Sequence, residues 1–215
     1  MTPRPDAFQG SNHRIIDVDT HLSEPPNLWV DRAPHGLRAR VPQIVDLNGR
    51  RSWVIDGDKP IGLGANPYSA IRKDGSKILD VDDFAPMTYE TVHEGSFSIA
   101  PRLAEMDRCG VHAQIVYPNL LGFGGQACAK VDPELRLATA QIYNDATADM
   151  QTQSGNRLYP MALLPWWDIE AAVMETERCH AMGMRGININ SDPHTHKDKG
   201  GNPVPDLASP HWNPL

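Results

Sequence analysis

Residues 157–190, RLYPMALLPWWDIEAAVMETERCHAMGMRGININ, contain two apolar runs of strand length on either side of a segment with helical periodicity. The first run, 157–165, is followed by Asp168, which can cap the free amides of a helix over 169–183. The second run, 184–190, comes directly after that helix. Two strands joined by a helix imply a right-handed crossover and parallel pairing, so this stretch predicts an α/β fold.

The same alternation continues towards the amino terminus. Segments 14–18 and 111–118 have the pattern of buried strands, and 101–110 and 132–153 have helix start and stop signals. Alternating strands and helices predict a parallel sheet that is either doubly wound or a closed barrel. The glycine-rich loop 121–126, LGFGGQ, lacks the spacing of a dinucleotide-binding turn, so we favour the TIM (β/α)8 barrel.

The segment between the first strand and the first barrel helix is unusually long. Residues 27–97 are rich in Pro, Gly and Asp, and two alternating runs flank Asn48-Gly49 within them. That dipeptide is typical of a β-hairpin, so we expect an inserted hairpin region over the mouth of the fold. We expect residues 1–13 to be a disordered tail and residues 14–215 to be a partial barrel.

Only about four barrel strands can be counted before the closing sequence DLASPHWNPL. A complete barrel usually needs about 250 residues, so we expect the amino-terminal half of a longer protein, truncated after strand 4. Unpaired parallel edges would favour association with another chain, including a second copy of this one.

Composition excludes several classes of protein. The net charge is −7, and Lys and Arg are scattered, which argues against nucleic acid as a partner. No apolar run reaches the roughly 20 residues of a membrane span, and the start lacks a signal peptide core, so we expect a cytoplasmic protein without a membrane partner. Cys109, Cys128 and Cys179 are widely spaced, which favours reduced thiols.

Asp19 and His21 lie at the carboxyl end of the predicted first strand, where barrel active sites are built. Residues two apart on a strand project to the same side, so this carboxylate and imidazole can hold one edge of a divalent cation. A structural pair, with Asp capping a turn and His bonded to the backbone, is equally compatible with the spacing. We expect Asp17 to be bonded within the scaffold.

Other polar residues at the predicted mouth are candidate substrate contacts. They are Glu24, Tyr117, Asn119 and Asn190. The alternative for Glu24 is an interaction with Arg32, and the alternative for the other three is that of ordinary polar residues at strand ends. His194 and His196 have His-x-His spacing, but they lie in a polar loop and are expected to be solvated. No catalytic acid or base can be assigned from the sequence.

Four segments carry a resemblance to a known family. They are DVDTHLSEP at 17–25, LAEMDRCGVHAQIVYP at 103–118, NDATADM at 144–150 and the stretch 157–192. These segments resemble the amidohydrolase superfamily, in particular the amidohydrolase-related branch that includes aminocarboxymuconate semialdehyde decarboxylase and the dihydroxybenzoate decarboxylases. Members carry His-x-His, or an acidic residue in place of the first His, at the end of strand one.

The resemblance implies that Asp19 and His21 are the first two ligands of a Zn²⁺ or Mn²⁺ ion, the carboxylate making the site harder and so suited to Mn²⁺. It implies a metal-dependent hydrolase or decarboxylase acting on a small aromatic or cyclic carboxylate. The family's further His and Asp ligands belong to later strands, so this chain alone is expected to be inactive. The alternative is a non-catalytic binding or interaction remnant that uses the inserted hairpin as its contact surface.

Overall fold

The computed structural model describes residues 13–215, so the predicted tail at 1–13 lies outside the described residues except for its last position. The strands are β1 Ile15–His21, β2 Gln43–Leu47, β3 Arg50–Ile55, β4 Lys59–Pro60, β5 Val111–Tyr117, β6 Leu158–Leu163 and β7 Gly186–Asn188. The helices are α1 Val81–Phe84, α2 Ile99–Cys109, α3 Pro133–Gln153 and α4 Ile169–Ala181. None of the helices within 13–215 is long and apolar enough to cross a membrane.

A four-stranded parallel sheet in the order β1-β5-β6-β7 forms the framework. Helix α2 precedes β5, α3 connects β5 to β6, and α4 connects β6 to β7. The strands follow one another across the sheet in chain order, whereas a doubly wound sheet reverses direction at a switch point. The predicted α/β fold, as the first half of a barrel, is therefore confirmed.

Helices α3 and α4 begin where the sequence predicts, directly after Asp132 and Asp168. Helix α2 begins at Ile99, two residues before its predicted start, and α4 ends at Ala181, two residues before its predicted end. The Asp132 side chain accepts a hydrogen bond from the amide of Leu135 at the start of α3, and Asp168 accepts one from Ala171 at the start of α4. Helix α2 ends at Gly110, whose φ of 68° lies in the left-handed region. Local capping chemistry thus sets these boundaries.

A buried polar network fixes α3 and α4 on the sheet. The Asn144 amide of α3 accepts from the backbone N–H of Leu163 at 2.8 Å and donates to its carbonyl at 2.9 Å. It also donates to the Glu175 carboxylate of α4 at 2.7 Å, and Arg178 donates to the same carboxylate. Because Asn144, Leu163 and Glu175 are buried, the bonds among them satisfy polar atoms that would otherwise lack a partner.

The predicted hairpin is present as the antiparallel pair β2–β3. Asn48 and Gly49 have φ angles of 57° and 80°, so both central residues of the turn are left-handed. The Asp46 carboxylate also accepts a hydrogen bond from the Gly49 amide at 2.7 Å. This geometry is the two-residue turn that suits the twist of paired strands.

The inserted region shares a hydrophobic core with the barrel half. Trp53 on β3 is 1% exposed and meets the ring of Trp29 edge-on at 5.9 Å. The indole of Trp29 donates to the carbonyl of Thr139 on α3 at 3.0 Å. The same cluster includes Leu121 and Leu163, which lie at the carboxyl ends of β5 and β6. The insertion is therefore packed against the mouth-side loops and α3.

Strand β1 is irregular near its carboxyl end. Asp17 pairs with Gln114 and Thr20 with Val116, so three steps on β1 match two on β5. This bulge interrupts the simple alternation of side chains along the strand.

Both edges of the parallel sheet are unpaired within residues 13–215, as β1 lies at one edge and β7 at the other. Ile16 and Val18 on β1 are 56% and 59% exposed, and Ile187 on β7 is 38% exposed. Apolar side chains in a closed barrel fill its interior, so this surface is suited to contact with further strands.

Replacing Asn144 with Ala should leave the backbone N–H and C=O of Leu163 without their side-chain partner. It should also remove one hydrogen bond to the Glu175 carboxylate. We expect the free energy of unfolding to fall by about 3 kcal/mol, measured by urea denaturation. Gln153→Ala is the matched control, since it removes an exposed amide from the same helix. Equal losses for the two variants would contradict the role given to the Asn144 network.

Gly49→Ala should destabilise the protein through backbone strain alone, because a Cβ at position 49 meets no atom within 4 Å while φ is left-handed. We expect a loss of about 1 kcal/mol in the free energy of unfolding. Gly36→Ala, which also has an unobstructed Cβ but no positive φ, should be neutral or slightly stabilising. The hairpin geometry would be wrong if both variants behaved alike.

Candidate functional site

The two predicted metal ligands occupy the carboxyl end of β1. Asp19 is exposed, Thr20 is buried and His21 is half-buried. Asp19 lies within the bulge, and exposure alternates from Asp19 to His21, so these two residues are on the side away from the buried Thr20. His21 also pairs with Tyr117, the last residue of β5. The structure thus places both residues at the mouth end of the parallel sheet.

A backbone carbonyl fixes the orientation of the His21 ring. Its Nδ1 lies 3.1 Å from the carbonyl oxygen of Pro118. A carbonyl can only accept, so the hydrogen bond assigns the proton to Nδ1 and leaves the lone pair of Nε2 available. This arrangement is the usual way in which a metal-binding histidine is oriented.

Two aromatic rings flank His21. The ring centroid of Tyr117 lies 6.0 Å away, and that of Phe123 lies 5.2 Å away in an edge-on arrangement. Phe123 is 51% exposed although it belongs to the glycine-rich loop after β5. Sequence reasoning considered this loop only as a nucleotide-binding turn and missed Phe123. A large apolar residue within a glycine-rich loop at a strand end was the available signal.

Arg102 of α2 contacts the carboxyl end of β1. Its guanidinium donates to the carbonyl of His21 and lies 3.4 Å from the hydroxyl of Thr20. Burial lowers the pKa of Arg102, while the charge of Asp17 opposes that shift. Asp17 accepts a bond from the Gln114 side chain at 3.2 Å, which agrees with its expected place within the scaffold.

Glu24 is 3% exposed and ties the segment after β1 to the loop after β5. Its carboxylate accepts from the backbone amide of Asn119 at 3.0 Å and from that of Leu120 at 3.1 and 3.2 Å. Burial raises the pKa of Glu24 to about 7, outweighing the amide bonds, which lower it. On the other side, Tyr89 of the insertion donates to the Glu24 carbonyl at 2.6 Å.

The four predicted substrate contacts lie in different environments. Tyr117 lies beside His21, whereas Glu24 and Asn119 are bonded to one another. Asn190 is 6% exposed; its Oδ1 accepts from the amide of Asp192, and its Nδ2 has no partner within residues 13–215. The structure thus brings one of the four close to the predicted metal ligands, and substrate contact by all four remains a prediction.

The other histidines and the thiols form no further centre. His194 lies 3.7 Å from the Asp206 carboxylate, and the ring of His196 lies 5.1 Å from that of Trp166. Within residues 13–215, none of the three cysteines forms a disulfide bond. In the described part of the chain, no group of three or more His, Cys, Asp or Glu residues is placed to hold a metal ion.

The donors at the end of β1 fit part of a metal site. One carboxylate oxygen and one imidazole nitrogen suit Zn²⁺ or Mn²⁺, but such ions require four or more ligands. Residues 13–215 therefore supply one edge of a coordination sphere.

Glu24→Gln should remove the pH-dependent loss of stability that ionisation of this buried carboxyl group causes. Below the ordinary pKa of 4.5, Glu24 is protonated in both the folded and the unfolded chain, so its ionisation does not lower the free energy of unfolding. As the pH rises from 4.5 to about 7, the unfolded chain loses this proton first, so stability falls. We expect this ionisation to lower the free energy of unfolding by at most about 3 kcal/mol. The decrease should be absent in the variant.

The measurement is the free energy of unfolding of both proteins at about pH 5 and about pH 8. Glu177→Gln, which alters an exposed carboxylate of α4, is the control. A difference between Glu24→Gln and the unaltered protein that stays constant with pH would refute the raised pKa.

No protein-family model matches the chain. No curated protein matches it either. Solved structures, in contrast, share its fold. An amidohydrolase from Mycobacterium avium subsp. paratuberculosis K-10 has a TM-score of 0.71 and 19% identity, with 95% of this chain and 55% of that chain covered.

Two further structures are similar to the chain. IDCase from Metarhizium anisopliae has a TM-score of 0.51 and 15% identity, over 94% of this chain and 47% of its own. A 2,6-dihydroxybenzoate decarboxylase from Rhizobium has a TM-score of 0.48 and 18% identity, over 94% of this chain and 45% of its own. The chain thus spans about half the length of these structures. Its fold is similar to about half of a TIM barrel.

Proposed function

We propose that the chain contributes the first two ligands of a metal-dependent enzyme, a hydrolase or decarboxylase that acts on a small aromatic or cyclic carboxylate. The observation that carries the proposal is the His21 ring at the carboxyl end of β1, whose Nδ1 is bonded to the Pro118 carbonyl and whose Nε2 is therefore free to bind a cation. The exposed Asp19 carboxylate two residues earlier supplies the second donor.

The surroundings of these ligands support the same function. Arg102 holds the strand end through the His21 carbonyl, so the imidazole is fixed from both its ring and its backbone. Tyr117 and Phe123 provide an aromatic surface beside the imidazole, which suits a planar substrate. A bound Zn²⁺ or Mn²⁺ would activate water or polarise the substrate.

The coordination sphere requires groups that residues 13–215 do not supply. We propose that the remaining ligands come from further barrel strands, so that residues 13–215 by themselves bind a cation weakly and have no enzymatic activity. The unpaired edges of β1 and β7 support this proposal, and so do their exposed apolar side chains, which the interior of a closed barrel would cover.

The test is a titration of the chain with Mn²⁺ and with Zn²⁺, followed by calorimetry. We expect one weak site, with affinity reduced at least about tenfold in Asp19→Ala and in His21→Ala, because each variant removes one of two ligands. His194→Ala is the matched control, because it removes a loop imidazole that lies near Asp206 and away from β1.

A metal-dependent enzyme and a non-catalytic interaction module predict different results in this titration. Equal binding by the unaltered protein and both ligand variants would exclude the β1 site and favour an interaction module. Loss of binding in His194→Ala alone would move the site to the loop.

A further inference from the structure

The inserted region carries the two most exposed large apolar side chains in the described part of the chain. Leu79 is 93% exposed and Val81 is 79% exposed, whereas Met174, which comes next, is 63% exposed. Ile78 and Phe84, on either side of this pair, pack in one hydrophobic cluster, so the segment between them is anchored at both ends. Two apolar side chains held outward on an anchored segment are typical of a surface that contacts another molecule.

Carboxylates flank this apolar pair. Asp80 lies within it, and Asp82 and Asp83 follow it. Asp83 is paired with Arg72 at 2.7 Å, whereas Asp80 and Asp82 belong to no ion pair among the described residues. We call residues 79–82 the acidic tip. A surface that accommodates this tip must combine an apolar recess with positive charge.

A pocket in the same inserted region has the complementary properties. Its volume is about 290 Å³, against the roughly 10–15 Å³ that one water molecule requires, so it has room for aliphatic side chains. Leu63, Ala65 and Met87 contribute its apolar lining, and Arg50 and Arg51 contribute positive charge. The size and the chemistry of this pocket therefore suit the acidic tip.

Arg50 supplies a positive charge that the pocket itself does not neutralise. Arg51 pairs with the Glu90 carboxylate at 2.9 Å. Arg50 is exposed, and it belongs to no ion pair among residues 13–215. A carboxylate of the acidic tip would therefore meet an available guanidinium at the pocket, which favours association and fixes the orientation of the partner.

The acidic tip and the pocket are neighbours on one surface. Helix α1 ends at Phe84, and Ala85, Pro86 and Met87 line the pocket directly after it. Leu79 does not fill the pocket of its own chain, since it is 93% exposed. A surface that carries both a projection and the matching recess is self-complementary, so two copies can bind reciprocally across a two-fold axis.

We propose that the chain forms a two-fold dimer through the inserted region, in which the acidic tip of each copy occupies the pocket of the other. Within this dimer, Leu79 and Val81 contact the apolar lining, and Asp82 pairs with Arg50. The contact leaves both edges of the parallel sheet available for further strands. The inference stands on the inserted region and does not rest on the proposed enzymatic function.

The first test is sedimentation of the whole chain over a range of concentrations. We expect a reversible dimer whose dissociation constant rises at least about tenfold in Leu79→Ala, because burial of one leucine side chain contributes about that factor. Leu79→Asp should abolish the dimer. Met174→Asp is the matched control, since it alters an exposed apolar residue of α4, and it should leave the dimer unchanged.

An exchange of charges tests the orientation of the two copies. Asp82→Lys and Arg50→Glu should each weaken the dimer, since like charges then meet in both contacts. An equal mixture of the two variants should dimerise as the unaltered protein does, because opposite charges meet in both contacts of the mixed dimer. A structural defect in either variant would not be rescued by mixing.

A disulfide bond between copies tests the contact directly. After oxidation, a mixture of Leu79→Cys and Leu63→Cys should contain a covalent dimer joined through positions 79 and 63, identified by mass spectrometry. The unaltered protein gives the background from its own three cysteines. Sedimentation as a monomer at every concentration, a dimer without this link, or a dimer that Leu79→Asp leaves unchanged, as association through the sheet edges would be, overturns the proposal.

Discussion

A buried carboxylate joins the two segments on which the candidate site depends. Glu24 follows β1 and binds the backbone amides of Asn119 and Leu120, which follow β5. His21 lies three residues before Glu24, and its imidazole is bonded to Pro118, the residue before Asn119. The strand end, the imidazole and the neighbouring loop are therefore held by one short set of contacts. Burying an acidic group for this purpose has a cost, which appears as its raised pKa.

The inserted region stabilises this arrangement from outside the sheet. Tyr89 donates to the Glu24 carbonyl, and its ring packs edge-on against Trp53 at 6.4 Å. Trp53 in turn contacts Trp29, which is bonded to α3. A series of aromatic contacts thus links the hairpin, the Glu24 segment and a barrel helix. For this reason, the insertion is part of the structure that shapes the mouth, and it is more than a surface loop.

Features with a local physical cause could be predicted from the sequence. Apolar periodicity indicates the strands and helices, Asp132 and Asp168 mark helix starts, and Asn48-Gly49 fixes the hairpin turn, since each depends on neighbours along the chain. The strand order then follows from the right-handed crossover rule. Asp19 and His21 are predicted as candidate ligands because polar residues at the end of an apolar strand are conspicuous.

Features that depend on contacts between distant segments could not be predicted. The bulge in β1 arises from its pairing with β5, and the burial of Glu24 arises from amides about 95 residues away in sequence. A glutamate near a strand end has the same local pattern whether it faces a substrate or a backbone. Phe123 shows the same difficulty, because its position beside His21 depends on how the loop after β5 folds.

That loop is positioned by the far edge of the sheet. A Cβ at Gly124 would collide with the backbone of Asn190, which follows β7, so only glycine permits the loop to lie against this segment. The indole of Trp166, which follows β6, donates to the Gly124 carbonyl at 2.5 Å. Residues after β5, β6 and β7 therefore meet at one glycine, immediately beside Phe123. Because Phe123 contacts His21 at β1, the geometry around the candidate ligands depends on all four parallel strands, although both candidates lie on β1.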